Sequence, residues 1–134
     1  RRRRTGGDLM SGNWRDTANR YAALVDEREQ QMQARFGHIE VPADALDTPS
    51  PWVEWDDGVF ARGYTAWRGR AAGFEVVVDC WQFSDGRPTE REIVFTDCNR
   101  GRDLTAARAR AVGVLLVEAA DALERMSAAG GRVR

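Results

Sequence analysis

Apolar groups fall at Trp14, Ala18, Tyr21, Val25, Met32 and Phe36, at intervals of three and four broken only by Arg28. That spacing predicts an amphipathic helix over 14–36 with one buried stripe. Ser11 or Asn13 can cap its start, and Gly37 is placed to end it. The other face, with Asp16, Arg20, Glu27, Glu29 and Gln30, reads as solvated surface. Residues 38–51 contain Pro42, Pro49 and Pro51, three of the four prolines, and so read as an extended connection. Four short strands then follow, at about 52–55, 59–67, 74–83 and 90–97. Turn signals separate them at Asp56-Asp57-Gly58, at 68–73 and at 84–88. Connections this short give an antiparallel meander. On the third strand Phe74, Val76, Val78 and Cys80 share one face; Val77, Trp81 and Phe83 share the other with Glu75 and Asp79.

Leu104 and Thr105 open the last element, with Thr105 or Asp103 as N-cap and Leu104 placed for a hydrophobic staple onto Ala109. From 111 to 117 this helix is apolar nearly all round, which a helix with one exposed face is not. It is therefore expected either sandwiched between the sheet and the first helix or buried between subunits, with Val112, Gly113, Val114 and Val117 as interface candidates. Gly113 costs about 1 kcal/mol relative to Ala in a helix interior, which predicts a close backbone crossing there. The helix turns amphipathic after Glu118 and is expected to end near Met126. The fold class is α+β: an N-terminal helix, a four-stranded antiparallel meander and a C-terminal helix packed on the sheet. It is read as one domain over 13–127, between a disordered tail at 1–12 and a frayed tail at 128–134.

At 134 residues a single domain buries about two-thirds of the surface its unfolded chain would expose, enough for a real core. The net charge of −1, from 20 basic and 21 acidic side chains, supplies no global field toward nucleic acid or an anionic membrane. All the basic residues are Arg, which gives strong anion-binding forks but no lysine nucleophile. With the Ala and Gly content, this reads as the codon bias of a GC-rich genome. No run approaches the roughly 18–20 apolar residues that span a bilayer, and Arg1–Arg4 lack the apolar stretch of a signal peptide, so a cytoplasmic location is expected. Met10-Ser11-Gly12 reads as a translation start. The four leading arginines read as a disordered tail, with a nucleic-acid-binding arm as the other reading. From Glu40 to Asp57 there are six acidic residues and no basic one, an acidic strip that reads as a hydrated linker or a docking site for a basic partner.

The closing segment, Leu-Thr-Ala-Ala-Arg-Ala-Arg-Ala followed by Leu-Leu-Val-Glu-Ala-Ala-Asp-Ala-Leu, resembles the last helix of many small uncharacterised actinobacterial and actinophage proteins, where it also follows short strands. The resemblance covers some twenty residues. It implies an organism class and carries no catalytic residue.

Candidate chemistry is sparse. His38 is the one histidine and falls in the loop after the first helix. Cys80 and Cys98 are expected as free thiols, because a hairpin centred near Asp85-Gly86 sets Cys80 opposite a residue near Arg91, well short of Cys98. No Cys-x-x-Cys or close His pair offers a zinc site, no glycine pattern matches a phosphate-binding loop, and no catalytic residue or cofactor is assigned. Cys98, near Arg100 and Arg102, is the one candidate for a reactive thiol. Of the five tryptophans, Trp14 fits the helix stripe and Trp55, Trp67 and Trp81 the core, leaving Trp52 as the exposed one. The topology supplies one further feature. The turn after the second strand and the end of the fourth lie at one edge, so Arg68, Arg70, Arg100 and Arg102 are expected to gather beside the last helix's N-terminus, with Arg108 on its first turns, as an anion site. Asp56, Asp57 and Asp85 at the opposite edge would polarise the domain. The leading reading is a non-enzymatic interaction domain acting through an unidentified protein partner and as a homodimer, with no membrane role. The alternative is a nucleic-acid-binding regulator that uses the arginine edge. The same arginines are otherwise expected to pair with Asp97, Asp103 and the acidic strip.

Overall fold

The strands alternate apolar and polar side chains with period two, and that alternation sets how the layers stack. The computed structural model describes residues 11–98 and 103–130. Along the chain run α1 (Ser11–Phe36), β1 (Val53–Asp56), β2 (Val59–Ala71), β3 (Phe74–Phe83), β4 (Glu90–Asp97) and α2 (Ala106–Gly130). The strands form one antiparallel sheet in the order β1-β2-β3-β4, and α2 packs on β2, β3 and β4. This is the expected α+β meander. Two compact units make up the chain: Arg1–Ile39, which holds α1, and Glu40–Arg134, which holds the sheet and α2. Of the expected tails at 1–12 and 128–134, residues 1–10 and 131–134 lie outside the described residues, as does the proposed start at Met10, while 11–12 belong to α1 and 128–130 to α2.

In the sheet unit, Tyr64, Ala66, Val76, Val78 and Cys80 form the core with Leu115 and Ala119 of α2. The β3–β4 ladder pairs Cys80 with Arg91, the register expected from the turn, and both cysteines are free, Cys80 buried and Cys98 exposed. Thr105 caps α2, its Oγ1 accepting the Arg108 amide proton at 3.2 Å. The helix continues to Gly130 instead of stopping near Met126, because Ser127, Ala128 and Ala129 bring nothing that ends a helix.

Two further features differ from expectation for identifiable reasons. The connection after β2 is not the six-residue loop that its Arg-Gly-Arg-Ala-Ala-Gly composition predicts. The strand runs to Ala71, and the turn is Ala72-Gly73, both at positive φ (52° and 78°), the geometry of a two-residue hairpin. Gly113 is not at a backbone crossing: a Cβ there would meet nothing within 4 Å. The close approach is at Gly69, where a Cβ would lie 2.6 Å from Trp67 Cη2 and 2.8 Å from Leu115 Cδ2. The two glycines therefore give opposite expected results. Gly113→Ala should stabilise the protein by about 0.5–1 kcal/mol through helix propensity alone, whereas Gly69→Ala should destabilise it by about 1–3 kcal/mol by forcing α2 off the sheet. Urea titration of each variant checks both signs.

Trp67 packs against the core as expected, but three other tryptophans differ from expectation. Trp52 is buried, with the Arg62 guanidinium 4.6 Å above its ring, while Trp14 and Trp55 are exposed. The pairing of Val53 with Ala61 fixes this, since the alternation sends Trp55 to the sheet face away from α2 and Trp52 to the other.

Candidate interaction surfaces

The longer β2 changes the arginine edge. Arg68 and Arg70 are strand residues opposite Val77 and Glu75, on the face turned away from α2. Arg68 donates to Asp47 Oδ2 at 3.0 Å and lies 3.9 Å from Glu75; Arg70 is paired with Glu75. Arg108 spends its donors on the backbone, bonding the Ala72 carbonyl from Nε and Nη2 at 3.3 and 3.2 Å and the Asp103 carbonyl from Nη1 at 2.6 Å. Its guanidinium also stacks 4.9 Å over Phe74. Arg100 and Arg102 lie outside the described residues. Three of the five expected anion-site arginines are thus fasteners of the fold, and they sit on two different sides of the sheet. At the opposite edge Arg87 forks onto Asp85 at 2.7 Å and, mainly by side-chain hydrogen bonding, holds that carboxyl below its ordinary range. The pairing of Arg68 and Arg70 on one side and of Asp85 on the other weakens the expected polarisation.

The acidic strip is also committed. Asp44 pairs with Arg91 at 3.0 Å and Asp47 with Arg68. The Glu40 carbonyl accepts from Arg62 Nη2 and Gln82 Nε2, each at 3.1 Å. Backbone pairing fixes the rest: Leu46 donates to the Thr65 carbonyl at 2.9 Å, and Ser50 exchanges bonds with Gly63 through its amide and hydroxyl, each at 2.8 Å. These partners sit twenty or more residues away for the arginines, so spacing along the sequence could not reveal them. Behind the Asp44–Arg91 pair, the Tyr64 hydroxyl is buried beside the Cys80 thiol without a well-formed hydrogen bond among the described residues. Burial pushes both groups' pKa values up.

On the sheet face away from α2, a cleft of about 340 Å³ is lined by Ser50, Thr65, Asp79, Trp81 and Glu92 among others, with no histidine or arginine in its wall. Trp55 closes one end of that face, its ring 5.0 Å from Trp81 and 5.5 Å from Phe83. The Asp79 carboxylate takes the Thr65 hydroxyl proton at 3.3 Å.

The four expected interface residues of α2 separate. Val112 faces the sheet and is buried, so it belongs to the core and is corrected as an interface residue. Gly113 is half-buried beside it. Val114 and Val117 are 57 % and 62 % exposed, joined by Leu116. The larger apolar surface is one that the sequence reading assigned to the interior. On α1 every residue from Asn13 to Gln31 is exposed, with Trp14 at 59 %, Tyr21 at 70 % and Leu24 at 63 %. The stripe that predicted the helix is present and exposed from Trp14 to Val25, with Met32 half-buried and Phe36 buried at its end.

Among the described residues no group of three His, Cys, Asp or Glu side chains could hold a metal ion, and no helix is long and apolar enough to cross a membrane. Comparisons with protein-family models, with curated proteins and with solved structures each find no match.

Proposed function

We propose that the chain is a cytoplasmic protein-interaction domain, without catalytic chemistry of its own, that works as a homodimer. The observation that carries this reading is the exposed apolar stripe of α1. A 26-residue helix whose stripe is exposed from Trp14 to Val25 gains little there from propensity alone, and most helical stability in proteins comes from packing an apolar face. Trp14, Tyr21, Leu24 and Val25 form such a face, and leaving it in water is costly. The outer side of α2, with Val114 and Val117, supplies a second and smaller apolar surface. The arginine edge supports the nucleic-acid alternative less well, since Arg68, Arg70 and Arg108 already have internal partners.

Light scattering on the purified protein over a wide concentration range tests the reading. Twice the 15.0 kDa chain mass is the expected result, and Tyr21→Glu should shift the equilibrium toward single chains. A mass of one chain at every concentration would overturn homodimerisation.

A further inference from the structure

We infer that the partner of α1 is α1 of a second copy, packed antiparallel about an axis at Ala23. This inference rests on the self-association proposed above and specifies its geometry. The apolar positions Trp14, Ala18, Tyr21, Val25 and Met32, with Arg28 between the last two, follow intervals of four, three, four, three and four. That is the seam of a heptad repeat, the pattern by which two helices pack side by side. The seam is open over most of its length: Trp14 through Val25 are exposed, and Met32 is half-buried.

Arg28 decides the orientation. In a parallel, in-register pair it would meet Arg28 of the second copy within the seam, two like charges face to face. Turned antiparallel about residue 23, each seam residue i faces residue 46 − i of the other copy, and the flanking positions pair two residues to either side of that sum. Trp14 then meets Met32, Tyr21 meets Val25, and Arg28 meets Ala18, whose small side chain leaves room for the arginine stem to run out to water. The flanking positions agree with the same register. On one side Leu24 packs beside Leu24 of the second copy. On the other, Ala22 neighbours Ala22 and Arg15 comes within reach of Glu29, twice by symmetry. Arg15 already lies at the seam's margin, 5.4 Å over the Trp14 ring. Sliding the register by one heptad one way sets Arg28 against Val25 and leaves Trp14 beyond the end of the other helix; sliding it the other way pairs Trp14 with Val25 but shortens the overlap, leaving Met32 and Glu29 without counterparts. Apolar matching, small-against-large fit and charge complementarity thus select one arrangement and one occupant.

Cysteine cross-linking in a Cys98→Ser background tests it, with light scattering run in parallel on the full chain. Ala18→Cys and Arg28→Cys, mixed and oxidised, should give a near-complete covalent dimer. Ala18→Cys alone should give almost none, because the two copies of residue 18 lie about 15 Å apart along the helices at 1.5 Å per residue. Leu24→Cys alone should cross-link with itself. All these positions are exposed, so the substitutions leave the fold intact, which circular dichroism checks. A dimeric mass with self-cross-linking at Ala18→Cys would establish parallel pairing and overturn the inference, as would a dimeric mass with no α1 cross-link at all; both leave the homodimer standing on another surface. A monomeric mass removes the inference and the reading it rests on together.

Discussion

Leu115→Ala should destabilise the sheet unit by about 3 kcal/mol, within the range for emptying a buried leucine site. Leu115 is 8 % exposed and joins the core through Tyr64, Ala66, Val76, Val78 and Cys80. Its Cδ2 stands over Gly69, where the absent side chain lets helix and strand come together. That close seat is why the cost should be high. The sheet beneath is tied by its ladders and cannot rise to fill the space, so most of the lost volume remains as a cavity. Set against the 5–15 kcal/mol typical of a whole domain, the variant loses a large share of its stability. Urea unfolding followed by tryptophan fluorescence measures it, and the neighbouring Leu116→Ala, on the exposed side, should change stability by less than about 1 kcal/mol. Equal effects from the two would mean that α2 is rotated from the orientation described.

The second large effect is alkaline. Tyr64 and Cys80 are both buried and neutral, and burial raises both pKa values above those of the free groups, near 10 and 9. Above pH 9 the unfolded chain therefore loses the Cys80 proton while the folded chain keeps it, and above pH 10 the same holds for Tyr64. Stability is fully present below those values and falls as pH rises, by about 1.4 kcal/mol per pH unit while one group is responsible and up to twice that where both are. Urea midpoints measured from pH 7 to 11 should be flat at first and then drop steeply. The double variant Tyr64→Phe, Cys80→Ala should lose most of that steepness. A wild-type curve that stays flat to pH 11 would contradict the burial of both groups.

Much of the fold was legible because local rules agreed with the tertiary outcome. Alternation along β3 separated Phe74, Val76, Val78 and Cys80 from Val77, Trp81 and Phe83, and the turn at Asp85-Gly86 set Cys80 against Arg91. Where the deciding contact was distant, the sequence could not show it. Ala72 takes a left-handed conformation that alanine disfavours, so local rules predict β2 four residues short and set Arg68 and Arg70 in a turn. Gly69 and Gly113 look alike as glycines; only the helix crossing above Gly69 tells them apart. The heptad spacing of α1 announced a face in need of burial without saying whether the chain or another molecule would provide it. Ion pairs such as Asp44 with Arg91 join residues 47 apart, and no periodicity links them.

The acidic connection between α1 and β1 has one more consequence. β1 pairs with β2 only from Val59 to Ala61, which would leave most of the 13-residue β2 as an open sheet edge. Such an edge is a template for strand addition by a neighbouring molecule. Leu46 and Ser50 occupy it at Thr65 and Gly63, and Arg62, Arg68 and Arg91 keep the connection in place. The charged strip is in effect a guard against aggregation, held by a few polar contacts, of which Asp47 with Arg68 is exposed and Asp44 with Arg91 part-buried. High salt or loss of Asp44 and Asp47 would therefore be felt first as insolubility, before any loss of the folded core.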